Sequence, residues 1–354
     1  MMRDRTGFIW SFVFANAVLL LFVTVSIKKN PSYTQPKNKK VYNLPEKGCK
    51  TPIEPKKSGL FADILLSVNF NHPFYSNIKI LRRYLEPIFP NIIFCGPEEH
   101  SEGGIDVIKI DQRKEEYGFY GYQCLVEGIK RQPGFEGYLL INDDMIINWW
   151  NLLQLDKKKI WFGDTKPKPE DCFVMGSQPD EWFSRYARGH LCERLYKSME
   201  KNAAFNTTNM FEIFLENTGR QKVCLAALSD IFYVPAAHAE RFTKIAQYFY
   251  DNRLFLEIAV PMALYFLDSK SNIIPMNGLY LQKKYGWSSS WKYRTVKAWK
   301  EYNYDMTFLH PYKFSASERN VIEFETKVGN ISRRIIAEGC LDFFKNNTHS
   351  GSGM

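Results

Sequence analysis

The chain has 354 residues, 45% hydrophobic and 16% aromatic, enough to bury the core of one large domain or two smaller ones. Its formal charge of +9 is spread along the sequence without zinc-finger spacing, an RNP pattern or a long basic helix, so nucleic acid is not read as a partner. A diffuse positive balance suits an anionic small substrate such as a nucleoside diphosphate.

Residues 7–27, GFIWSFVFANAVLLLFVTVSI, form an uncharged run. It reaches the ~20 residues that span a bilayer as a helix. Its more apolar half lies beyond Ala15-Asn16-Ala17, the most peptidase-like small-residue pair, which favours an uncleaved anchor over a signal peptide. Residues 1–6 then form a short cytoplasmic tail. Residues 28–58 are Lys-rich and hold Pro31, Pro36, Pro45, Pro52 and Pro55, a stem that cannot bury enough apolar surface to fold. Three Asn-x-Ser/Thr acceptors, at Asn206, Asn330 and Asn346, favour a lumenal body.

From residue 60 to 68 the pattern is that of a buried strand. Pro73 is placed as the first residue of a helix running to about Leu85. Further strands are expected at 91–95, 105–110 and 137–142, with a helix from about Phe119 to Lys130. Strands at 159–163 and 172–176 follow. Residues 222–234 read as one strand, and a helix runs from Ala236 to about Tyr250. Short apolar strands alternating with helices predict an α/β fold with a mostly parallel sheet flanked by helices. No Walker loop or dinucleotide fingerprint accompanies them.

Ligands of such sheets sit at the carboxyl ends of the strands. Asn71, His72 and Asp111 fall there. So does Asn142-Asp143-Asp144, where an apolar run ends abruptly in adjacent carboxylates that could hold a hard cation and a phosphate. A polar turn would look the same. Farther on, Glu257 stands alone in LFLEIAVPMAL, either exposed on an amphipathic helix or, given Pro261, ahead of the helix near a site. A carboxylate buried there without a partner would cost several kcal/mol. His310 ends a short apolar run before Pro311, in extended backbone. Trp149, Trp150, Trp287 and Trp291 could stack on sugar rings, although large aromatics more often fill cores. Seven cysteines without zinc spacing suit two or three disulfides in an oxidising lumen, with at least one thiol left over or pairing between chains.

The order of anchor, stem, α/β domain, acidic pair, late Glu and later His resembles Golgi type II glycosyltransferases of the GT-A (Rossmann-like) fold, with exostosin-like transferases a distant comparison. The resemblance implies a catalytic domain at 59–354, with a nucleotide-sugar half at 59–155 and an acceptor half at 156–354. It implies Mn²⁺ or Mg²⁺ held by Asp144 and His310 in the manner of a DxD motif, here with Asn142 in first place. Asp143 would contact the ribose or the metal, and Asn71, His72, Asp111 and Asn142 would surround the nucleotide. The donor implied is a nucleotide sugar, UDP-linked by preference, and the acceptor a glycan or glycoprotein. Glu257 matches the late acidic motif and would be the catalytic base of an inverting enzyme, with Ile258 where the usual following Asp stands. The expected location is the Golgi membrane, single-pass, body lumenal, with the ER as the alternative. Two rival readings are a lumenal carbohydrate- or partner-binding protein that keeps the fold without the chemistry, and a sulfotransferase, against which the missing phosphate loop argues.

Overall fold

The computed structural model describes residues 59–112, 118–164, 167–171, 190–202, 209–220, 222–285 and 291–339. In chain order the first elements are β1 (Ile64–Asn69), α1 (Ile78–Leu85), β2 (Ile92–Gly96), β3 (His100–Glu102), β4 (Ile105–Lys109), α2 (Gln123–Arg131), β5 (Gly137–Asn142), β6 (Ile146–Ile147), β7 (Ile160–Phe162) and β8 (Lys168–Asp171). Next come α3 (His190–Met199), α4 (Met210–Thr218), β9 (Val223–Ala226), β10 (Ile231–Pro235), α5 (Ala236–Asp251), α6 (Leu256–Leu267) and β11 (Ile273–Pro275). The last are β12 (Gly278–Tyr280), α7 (Leu281–Tyr285), α8 (Trp291–Glu301), β13 (Phe308–His310), α9 (Glu318–Phe324) and α10 (Asn330–Glu338). The anchor and stem expected at 7–58, and the strand expected at 172–176, lie outside the described residues. No helix among the described residues is long and apolar enough to cross a membrane.

Eight strands form one sheet in the order β11-β7-β10-β5-β1-β2-β4-β3. Only β10 and β3 run against the rest, so the sheet is mostly parallel, as expected. Strands from 59–155 (β5, β1, β2, β4 and β3) form one contiguous block of it and strands from 156–354 (β11, β7 and β10) the other, joined at the β5–β10 pair. Alternation within each strand sorts its side chains between two cores. Leu65, Tyr138, Leu140, Phe232 and Val234 face the core built with α2, α5 and α6. Ile64, Leu66, Val68, Leu139, Ile141, Ile231 and Tyr233 face the core built with α1, β13, α9 and α10. Both faces of the central strands are thus covered, which is why β5 is apolar without interruption until Asn142.

Three sequence expectations need correction. Pro73 does not open a helix: the Phe74 N–H bonds the His72 carbonyl at 2.7 Å, a three-residue turn, and α1 starts only at Ile78 after one 3-10 turn. Residues 222–234 are not one strand but β9 and β10, separated by an Ala-Leu-Ser-Asp loop at 227–230. Glu257 neither precedes its helix nor faces solvent. It is buried, in the first turn of α6.

Pro261 lies inside α6, where it has no N–H for the carbonyl four residues back, that of Glu257. The orphaned carbonyl accepts instead from Ala227 N–H at 2.9 Å, in the loop between β9 and β10. At the same end of the helix, Leu256 N–H bonds the carbonyl of Phe119 at 2.8 Å. The proline thereby joins α6 to the β9–β10 loop, while the free first-turn amide of Leu256 joins it to the segment before α2.

Candidate active site at the carboxyl edge of the sheet

Parallel register sets Asn69, the last residue of β1, beside Asn142, the last of β5. Their amides form the middle of a buried chain. Gln112 Nε2 donates to Asn69 Oδ1 at 2.7 Å, and Asn69 Nδ2 donates to Asn71 Oδ1 at 2.7 Å and Asn142 Oδ1 at 3.0 Å. Asn142 Nδ2 then donates to Asp230 Oδ1 at 2.6 Å. Asn142 therefore needs both an acceptor and a donor, which an amide has and a carboxylate lacks. Two glycines let the backbone approach this chain. A Cβ on Gly121 would lie 2.7 Å from Asn69 Nδ2, and one on Gly118, which has φ of +87°, would lie 2.8 Å from the Asn71 side chain.

Beyond Asp230 the network becomes ionic. His310 Nε2 lies 3.2 Å from Asp144 Oδ1 and 3.5 Å from Asp230 Oδ1, and its Nδ1 faces Gln282 Nε2 at 3.3 Å. Lys313 places its ammonium on the other oxygen of Asp144, Oδ2. Asp143 is turned the other way and accepts from Asn77 Nδ2 at 3.2 Å. All four carboxylate- and imidazole-bearing residues are buried.

Charge is distributed unevenly among them. Burial and the neighbouring Asp144 charge push Asp143 up to about 7. Burial alone would raise Asp144 as well, but Lys313 and His310 hold it well below the usual carboxylate range. Burial raises Asp230, with His310 opposing. For His310 burial works downward, and Asp230 and Asp144 outweigh it, so the ring is driven toward imidazolium. Burial and then Lys313 lower His72, which places that ring within electrostatic reach of the same cluster.

Glu257 lies within electrostatic reach of Asp230. Burial, then Asp230 and Asp164, raise its carboxyl well above the ordinary range, with Lys283 opposing. Asp164 accepts from Lys283 Nζ at 2.7 Å and from Leu228 N–H at 3.1 Å. A cleft of about 510 Å³ opens here, lined in part by Asp164, Asn277, Tyr280, Lys283 and Lys284. Tyr280 separates it from His310, the two rings meeting edge to face at 5.7 Å.

Asn71, His72, Asn142, Asp143, Asp144 and His310 therefore gather at one edge, with Glu257 within electrostatic reach of Asp230. Asp111 instead accepts from Tyr250 OH on α5 at 3.1 Å, and its neighbour Gln112 makes the contact with Asn69. Asp230, Gln282 and Lys313 were missed in sequence. Trp149 and Trp150 are core residues, their indole N–H groups bonded to Ser332 Oγ at 2.8 Å and to the Tyr304 carbonyl at 3.0 Å. The Trp291 side chain and Trp287 lie outside what is described, as do Asn206 and Asn346. Asn330 is exposed on α10.

Among the described residues, no group of three or more His, Cys, Asp or Glu side chains stands at metal-coordinating spacing. The donor set of Asp144, Asp230 and His310 nevertheless fits a Mn²⁺- or Mg²⁺-type ion in chemistry, two carboxylates and an imidazole. Asp230 Oδ2 is buried and has no hydrogen-bond partner.

Residues 56–177 match the family described as STELLO glycosyltransferases. The chain is similar to "Probable glycosyltransferase STELLO1" of Arabidopsis thaliana, 26% identical over 260 residues, which are 73% of this chain and 30% of that protein. Similarity to "Probable glycosyltransferase STELLO2" of the same plant is 24% over 223 residues, 63% of this chain and 27% of that one. The chain thus spans less than a third of the length of these relatives. The crystal structure of the glycosyltransferase GlyE in Streptococcus pneumoniae TIGR4 aligns with a TM-score of 0.31 at 10% identity, over 77% of this chain and 63% of that one. The family match takes in Asn69 to Asp144 and stops short of Asp230, Glu257, His310 and Lys313.

Proposed function

We propose that the protein is a glycosyltransferase that moves a sugar from a nucleotide-sugar donor, UDP-linked by preference, to a glycan or glycoprotein acceptor. The observation that carries this reading is the convergence of Asp144, Asp230 and His310 behind the Asn142-Asp143-Asp144 turn. The sequence similarity to proteins named glycosyltransferases supports it. In this reading Asp144 and His310, joined by Asp230, hold a divalent cation. When bound, such an ion supplies Lewis-acid stabilisation of the departing diphosphate. The residues of the chain do the rest. Asn71 and His72 border the donor, and Asp143 meets the ribose or the cation. The amide chain from Gln112 to Asp230 fixes these groups before substrate arrives, so little reorganisation is needed at reaction. The acceptor enters by the cleft at Asp164 and Tyr280. If the reaction inverts, Glu257 takes the acceptor proton, for which its buried carboxyl must first ionise.

The same reading places the enzyme in the Golgi membrane as a single-pass type II protein anchored through residues 7–27. Two disulfides among the described residues, Cys95–Cys124 and Cys192–Cys224, suit an oxidising lumen.

The test is calorimetry on the full chain with a panel of nucleoside diphosphates and nucleotide sugars, in Mn²⁺ and in EDTA. The expected result is one preferred nucleotide whose affinity rises at least ten-fold with Mn²⁺, a gain that Asp144→Asn removes. Folded protein that binds no member of the panel would leave the chemistry-free binding protein as the better reading.

A further inference from the structure

Two buried oxygens beside His310 have no hydrogen-bond partner among the described residues, Asp230 Oδ2 and Gln282 Oε1. Asp230 lies toward Nε2 of the ring and Gln282 toward Nδ1. A buried acceptor without a donor is costly, so each calls for an account. The cation of the proposed function accounts for the first. Nothing in that function accounts for the second.

The fold fixes Gln282 closely. β12 and β13 pair in parallel with Tyr280 opposite His310, and Gln282 follows two residues later in α7. Between them, the Tyr280 ring meets His310 edge to face, and its hydroxyl donates to the Leu228 carbonyl at 3.2 Å. Gln282 is only 4% exposed, so water does not compete for its oxygen. Its amide faces Nδ1 at 3.3 Å, nitrogen foremost. Nε2 lies 3.2 Å from Asp144 Oδ1 and is therefore the nitrogen open to a cation held on that carboxylate. A neutral imidazole has one proton, and with Nε2 given to a cation that proton sits on Nδ1. Nδ1–H then needs an acceptor. A half-turn of the Gln282 amide about its last side-chain bond exchanges nitrogen for oxygen and brings Oε1 to that place.

We infer that Gln282 is a positioning residue of the cation site, whose Oε1 accepts from His310 Nδ1–H and thereby directs the Nε2 lone pair at the cation. The inference rests on the cation of the transferase reading and adds to it a residue outside the ligands. Glutamine serves the ring in both states, donating to a bare Nδ1 and accepting from Nδ1–H. Glutamate could only accept, and an apolar side chain could do neither.

The test uses the full chain. Mn²⁺ followed by electron paramagnetic resonance, alone and with UDP, should bind Gln282→Met at least ten-fold more weakly than wild type, the order expected when a ligating histidine loses its outer partner. Gln282→Glu keeps an acceptor in place and should stay within about three-fold of wild type. Long-range proton–nitrogen correlation on isotope-labelled histidine, with Mg²⁺, reads the ring itself. The His310 signal, assigned by its loss in His310→Ala, should be the Nδ1–H form in wild type and Gln282→Glu, and mixed tautomers in Gln282→Met. Thermal unfolding shows which variants keep the fold. A merely structural glutamine would lower the unfolding temperature and leave the tautomer alone. An Nε2–H ring in wild type with Mg²⁺ overturns the inference whatever the variants do. So does a folded Gln282→Met with wild-type Mn²⁺ affinity, or a Gln282→Glu that binds no better than Gln282→Met. Wild type that binds Mn²⁺ with the expected response at Gln282, yet prefers no nucleotide, removes the donor reading and keeps Gln282 in its role. Folded wild type that binds no Mn²⁺, with or without UDP, removes the cation and the inference together.

Discussion

Asn142 accepts from Asn69 and donates to Asp230 with the two ends of one amide. Replacing it by Asp would set a second carboxylate against Asp230 Oδ1 and remove the donor that now faces it. A buried acceptor left facing another acceptor costs about 1–3 kcal/mol or more when charged. Asn142→Asp should therefore lower the urea midpoint clearly, whereas Asn142→Asp with Asp230→Asn, which restores a donor–acceptor pair, should recover much of the loss. Asp143 supplies a second residue-scale prediction. Its folded pKa, about 7, lies above the ordinary 3.8, so the native state binds the extra proton between those values. Stability from this group falls as pH rises through that window, by at most about 1.4 kcal/mol per unit, and is level above it. Asp143→Asn should gain on wild type between pH 4 and pH 7 and then run parallel. A constant difference across the titration would contradict the assignment. In sequence, Asn142 to Asp144 and His310 stood out because each ends an apolar run. Asp230 did not, since Ala227 and Leu228 carry the apolar pattern straight through the loop. Lys313 had no signal either, because one lysine in a chain with 47 Lys and Arg residues has no local pattern to mark it.

At the scale of elements, β5 is the strand on which the site depends, lying between β1 and β10 with Leu140 wholly buried in one core and Leu139 in the other. Leu140→Ala should cost about 2–5 kcal/mol, read from denaturant unfolding. A smaller loss would mean that α2 and α5 close over the cavity. The existence of the strands and long helices was legible because buried parallel strands are short, continuous apolar runs and α5 keeps a helical period. Their edges were less so. Pro73 satisfied the rule for a helix start, but the backbone bond between His72 and Phe74 took precedence locally. Glu257 satisfied the rule for an exposed face, but its helix is buried on nearly every side, so periodicity had nothing to contrast with.

For the whole molecule, the disulfides tie separate elements of the two sides of the chain. Cys95–Cys124 links β2 to α2 across a sequence separation of 29, and Cys192–Cys224 links α3 to β9 across 32. A cross-link closing loops of this size contributes about 3–4 kcal/mol through the unfolded state. Replacing the Cys95–Cys124 pair by serines should lower the unfolding free energy by that order, and the chain should refold poorly under thiol. Equal stability with and without reductant would rule this contribution out. The proline of α6 has a consequence of another kind. Because the Ala227 amide is bonded to a carbonyl that Pro261 leaves vacant, that one loop proton is protected from solvent only while the first turn of the helix stays closed. Its hydrogen–deuterium exchange rate is a built-in gauge of the helix end that carries Glu257, readable at a single resonance as ligands are added.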